Sequence, residues 1–270
     1  MNRYIYYLYI LCVGGMLQVL NVSCDQDIQV GNLAVDMKYK DQKQSVVTGL
    51  DARVGEFVFS KSSLPLTFEI ESVFEEEGAS TAELSEIIKV PVFTEAVSSD
   101  DSEEMLVQKR DTVLLPAVEI EKHTGVFIVH GGNSIKKGKY HFNVKVTNVS
   151  GNVVLNDVFI LEVLPHYLFS FSNFGGTPTI ERVADTPHQI VFKAYNAHTN
   201  EVIPAENFHF MDGRENGFKG IYAGDTSEGE LWNVKFPVEP ADTQLDIEGQ
   251  RMYMNFALGI PGKYEIKLYK

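Results

Sequence analysis

Residues 211–229, MDGRENGFKGIYAGDTSEG, gather the side chains in this chain best suited to hold a ligand. Glycines 213, 217, 220, 224 and 229 give the segment the character of a loop. They surround Phe218 and Tyr222 with Asp212, Arg214, Glu215, Asn216 and Asp225. Rings that stack and polar groups that bond hydroxyls or amides are the usual division of labour in a binding site, so the segment suits a carbohydrate or a peptide. The same rings equally suit pinning the loop to the body beneath it, and the sequence leaves both readings open. Trp232, the one tryptophan, is a further stacking candidate. It runs in phase with Val234 and Phe236, which favours an apolar face and a core role.

Catalytic chemistry has less to build on. Glu228 and Glu230 in SEGELW supply two carboxylates, which glycoside hydrolysis needs, but neighbouring acids on a strand ordinarily form a wet face. There is no G-x-S-x-G elbow, H-E-x-x-H pair, phosphate loop or dinucleotide fingerprint. Histidines 123, 130, 141, 166, 188, 198 and 209 are scattered, with none at ligand spacing to another. The expectation is a non-catalytic protein with no catalytic residue, no metal and no cofactor.

The first residues say where the chain resides. Arg3 precedes an uncharged, mostly apolar run from Tyr4 to Val22, the order of a secretory signal. A permanent membrane helix is the other reading of a run this long. Val22-Ser23-Cys24 resembles the lipobox of bacterial lipoproteins, which implies a signal peptide over 1–23, lipidation of Cys24 and a tether over 24–30. The following Asp25-Gln26-Asp27 resembles the acidic stretch that sends Bacteroidota lipoproteins to the outer face of the outer membrane. Loss of 1–23 would remove one base and no acid, leaving 22 basic and 37 acidic residues and a net charge of −15. Such a chain repels phosphates, which excludes nucleic acid as a partner. With Cys12 in the signal and Cys24 carrying lipid, the folded part has no thiol and no disulfide, so a core must hold it together.

Period-two alternation dominates the remainder. Val35, Met37 and Tyr39 alternate with polar residues, as do Leu66, Phe68 and Ile70, each giving a strand with one dry face. Residues 75–108 are rich in acid and serine and read as an insertion or long loop, with a short helical possibility at 81–89. Their acidic runs lack the spacing and turn glycine of a calcium loop and read as solvated. HYLFSFSNF, residues 166–174, alternates Tyr167, Phe169 and Phe171 onto one side, as a first strand or an interface. From 123 to 164 the pattern is strand, turn, long strand, hairpin, long strand. It resembles the end of bacterial Ig-like and cadherin-like domains, on the Thr124-Gly125 turn, Gly138-Lys139-Tyr140 and the Asn148–Gly151 hairpin. Gly262-Lys263-Tyr264 echoes the second of these. The fold class expected is all-β: an Ig-like sandwich over 31–165 with the acidic insertion near 75–108, and a second sandwich-like domain over 166–270.

Lipobox, acidity and tandem sandwiches together resemble the accessory surface lipoproteins of Bacteroidota that accompany starch-utilisation-like uptake systems. The resemblance implies a lipid-anchored protein of the outer membrane, facing outward, that captures glycan or assists a transporter complex. A structural or adhesive, fimbria-like surface subunit that binds other proteins is the alternative. Asp111-Thr112-Val113 resembles the O-glycosylation site of envelope proteins of that phylum, which implies a glycan on Thr112.

Overall fold

The computed structural model describes residues 31–210, 218–227 and 229–270. Cys24 and its surroundings, together with Asp212, Arg214, Asn216 and Glu228, lie outside the described residues. The fold is all-β, of sandwich domains.

Alternation explains the strands of the first sandwich. Along Gly138–Asn148, Tyr140, Phe142, Val144 and Val146 are all buried, while His141, Asn143 and Lys145 take the other face. The strand turns through Val149 and Ser150 into Gly151–Leu164, with Asn148 opposite Gly151 and Asn148 Oδ1 accepting from the Ser150 amide at 2.9 Å. Thr67–Glu75 flanks this hairpin on one side and Lys43–Val47 on the other, the latter running parallel to Gly151–Leu164. Packed against them are the sheet of Ala52–Val54, Phe127–Val129 and Val118–Ile120 and the short pair Lys38–Tyr39 and Phe57–Val58. Tyr39 lies among Phe57, Phe127 and Phe159 and donates its hydroxyl to the Gly125 carbonyl at 2.6 Å. Burial pushes its ionisation far above the ordinary tyrosine value.

The second core lies between two further sheets. One orders His166–Ser172, Gln250–Leu258, Val238–Ile247 and Phe208–Phe210; the other orders Thr179–Ala184, Lys263–Tyr269, Gln189–Tyr195, Gly229–Asn233 and Ile221–Thr226. Phe192, Phe208, Trp232, Phe256 and Tyr264 fill the space between them. The echoed tripeptides do the same work in both sandwiches. Tyr140 donates its hydroxyl to the Lys136 carbonyl at 2.9 Å, and Tyr264 donates to the Ile260 carbonyl at 2.8 Å, each four residues upstream. A buried tyrosine that ties a strand to the turn leading into it is the tyrosine-corner device of Ig-type sandwiches.

The acidic insertion departs from the loop that its composition suggests. Ile87–Phe93 pairs antiparallel with Arg110–Pro116 to form a two-stranded arm. Its β-branched and apolar run, Ile87-Ile88-Lys89-Val90-Pro91-Val92-Phe93, favours strand over the helix read at 81–89. Helical structure there is confined to the 3-10 turn Ala82–Ser85. A short helix, Glu103–Gln108, instead occupies the tip and is capped by Ser102, whose hydroxyl accepts from the Met105 amide at 3.3 Å. Lys109 Nζ closes the tip 2.7 Å from Asp101.

Candidate ligand crevice between the sandwiches

The two sandwiches meet at a seam where the turn after Lys43–Val47 approaches the turn after Gln250–Leu258. The Thr48 amide continues its own strand pairing by donating to the Leu164 carbonyl at 2.9 Å, and the Gly259 amide donates to the carbonyl of the connecting residue Pro165 at 3.1 Å. Val47 and Leu50 of the first sandwich bury a small patch with Ala257 of the second. Gly259 is required here by proximity, because a Cβ built on it would lie 1.6 Å from the Thr48 carbonyl oxygen.

Beside the seam lies a crevice of about 800 Å³, within the size range of small-ligand sites. Tyr167 and Phe169 of the edge strand His166–Ser172 form one wall. Tyr167 pairs with Ala257, but the register slips between Leu168 and Ser170, leaving Phe169 unpaired at a bulge. Bulges re-aim side chains. Here the Phe169 ring meets that of Tyr167 edge to face, with centroids 4.6 Å apart. Tyr167 is 37% exposed and Phe169 49%, so the pair presents ring surface to the crevice instead of filling a core. Asp51, the Gly131-Gly132 turn, Lys89 and Pro91 of the arm, and Pro237, Glu239 and Pro240 also line it, together with the stretch 45–50 of the first sandwich. Asp51 is held by the Gly131 amide, which donates to its carboxylate at 2.6 Å. The crevice therefore offers two aromatic rings, two carboxylates and one ammonium group among its lining residues. Rings for stacking with polar groups around them suit a polyhydroxylated ligand.

Alternation alone places Tyr167, Phe169 and Phe171 on one side. The bulge separates them: Phe171 pairs opposite the buried Met254, and its ring meets Phe174, so it leaves the crevice pair. No signal in the sequence marks the bulge.

The described aromatic residues of the glycine-rich segment turn inward. Phe218 is buried, its ring among Phe192, Phe210, Trp232 and Phe256. Gly220 allows this, since a Cβ there would lie 2.3 Å from the Phe218 ring. Trp232 is fully buried, and its indole N–H donates to Glu230 at 3.0 Å. Neither ring is offered to a ligand; the gain from removing large aromatic surfaces from water places both in the core. Tyr222 is half-buried against Trp232 and donates its hydroxyl to Asp225. The described member of the SEGELW pair, Glu230, is buried and bonded to the indole. Thr112 sits exposed on an arm strand, with its amide donating to the Asp111 carboxylate at 2.7 Å.

No protein-family model matches the sequence, and no curated protein matches it. Among solved structures, the chain is similar to a SusE-like surface-located polysaccharide-binding protein from the Bacteroides thetaiotaomicron heparin utilisation locus. That match has 7% identity and a TM-score of 0.32, and covers 87% of this chain and 53% of that one. This chain thus spans about half the length of that protein. It is also similar to a chimeric titin Z1Z2 functionalised with a peptide from decorin, with 13% identity, a TM-score of 0.23, and coverage of 87% of this chain and 96% of that one. A third match is to the titin domains Z1Z2 in complex with telethonin, with 13% identity, a TM-score of 0.22, and coverage of 86% and 94%. The fold stands on the strands and sheets themselves.

Proposed function

We propose that this chain is a non-catalytic surface protein, lipid-anchored to the outer membrane through Cys24, that captures a glycan in the crevice between its sandwiches and serves a glycan-uptake complex. The observation that carries the reading is the Tyr167–Phe169 pair, exposed beside a bulge and lining one crevice with Asp51, Lys89 and Glu239. Sugar rings present apolar faces that stack on such aromatics, while their hydroxyls bond to carboxylates, ammonium groups and backbone amides. The non-catalytic reading is supported by Glu230, which serves the core through Trp232.

Affinity electrophoresis of the full chain through gels containing plant, host and microbial polysaccharides tests this reading. At least one polysaccharide retards the wild-type protein, and Tyr167→Ala/Phe169→Ala runs as in an empty gel. Equal retardation of both proteins would place binding elsewhere.

One observation favours the adhesive alternative. The arm displays Ile87, Val97, Met105, Val107 and Leu114 to solvent, each at least 45% exposed. Apolar exposure on this scale marks protein contact surfaces. A folded sample that no polysaccharide retards would shift the conclusion to protein binding through the arm.

A further inference from the structure

We infer that the outer face of the second sandwich carries a second sugar-binding position, centred on Tyr253, and that the ligand is an uncharged oligosaccharide long enough to reach both this position and the crevice. The inference rests on the crevice reading and extends it along the same sheet. Register places Ala257, Asn255 and Tyr253 on one face of Gln250–Leu258, alternating with the buried Phe256, Met254 and Met252. Ala257 lies in the seam opposite Tyr167, so the face begins at the crevice wall. The next row crosses three strands as Ser170, Asn255 and Asp242, and the row beyond it as Ser172, Tyr253 and Gln244. A groove of about 270 Å³ runs over these rows.

Its chemistry fits a sugar. Tyr253 is 39% exposed and offers a ring face on a rigid strand. Around it stand two hydroxyls, an amide and a carboxylate, from Ser170, Ser172, Gln244 and Asp242, and Asn255 steadies Asp242 by donating to it at 2.7 Å. Such groups both donate to and accept from hydroxyls. Among the described residues no lysine or arginine lines the groove, and the next cation on the face, Arg251, lies opposite Asp246 in register. A sulfated or carboxylated glycan would meet Asp242 with no counter-charge, so the ligand is neutral. Tyr253 lies four residues along the strand from Ala257, a distance of about 13 Å. A monosaccharide cannot touch both positions, whereas an extended oligosaccharide can.

The test is calorimetry of the full chain with size-graded oligosaccharides from amylose, cellulose, xylan and mannan, and with dextran sulfate as the anionic probe. Wild-type affinity for one neutral series rises with length. Tyr253→Ala weakens binding of its long members roughly tenfold, equivalent to about 1.4 kcal/mol, and leaves short members unchanged, while Tyr253→Phe retains the wild-type affinity. Undiminished binding of long members by Tyr253→Ala, with loss of all binding in Tyr167→Ala/Phe169→Ala, would overturn the second position and leave the crevice reading intact. Wild-type affinity in Tyr167→Ala/Phe169→Ala, or no binding of any probe by the wild type, would overturn both. Tighter binding of dextran sulfate than of every neutral series would overturn the ligand class.

Discussion

Tyr140 and Tyr264 show how a single residue type becomes a structural part. In each case a glycine and a lysine precede the tyrosine, and the hydroxyl returns to a carbonyl four residues upstream. Burial raises the ionisation of both, that of Tyr264 to about 12. Replacing either by phenylalanine keeps the ring and leaves a carbonyl without this donor. Each change should cost about 1 kcal/mol, and the two should add because they lie in separate cores; urea unfolding of both single variants and the double variant checks this. The tripeptide echo made the pair legible in the sequence. The fate of Phe218 and Trp232 was less legible. Glycines flanking an aromatic look the same whether they let its ring lie outside or let the backbone fold close over it, and only the packing of Phe218 against Trp232 decides between them.

Among elements, the long alternating strands were the most readable, because a strand with one wet and one dry face writes its burial into every second residue. The arm was not readable in that way. Ile87–Phe93 and Arg110–Pro116 pair only with each other, and apolar residues sit on both their faces, with Ile87, Pro91, Phe93 and Leu114 exposed, so alternation of residue type carries little signal. Its tip depends on charge instead. The Lys109 ammonium and the Ser98 amide hold the Asp101 carboxyl below the usual carboxylate range. A carboxyl depressed in the folded state contributes stability that is fully present above its unfolded value near 3.9 and lost as pH falls through the lower folded value. Amides of residues 98–109 should therefore exchange faster in that acidic window, with the rest of the sandwich unaffected. Asp101→Asn should show fast exchange at neutral pH and a flat profile across the window; an unchanged tip in the variant would contradict this role for the pair.

At the scale of the whole molecule, function is read from how two bodies are joined. The seam brings residues 47–50 against residues 257–259, a pairing that no local pattern announces. The crevice follows from the seam together with one slipped register, which turned an expected alternation of three aromatics into a pair facing outward. Gly259→Ala should force the Thr48 carbonyl away, destabilise the protein by about 1–3 kcal/mol and separate the unfolding of the two sandwiches in scanning calorimetry. Ligand binding should weaken in the same variant, because the crevice walls would no longer be held in register. The most direct measurement is a titration of one retained polysaccharide into the wild-type chain, Tyr167→Ala/Phe169→Ala and Tyr222→Ala. The crevice account predicts saturable heat from the wild type and from Tyr222→Ala, and none from the folded double variant. Heat retained by the double variant and lost by Tyr222→Ala would contradict it and return the binding site to the glycine-rich segment.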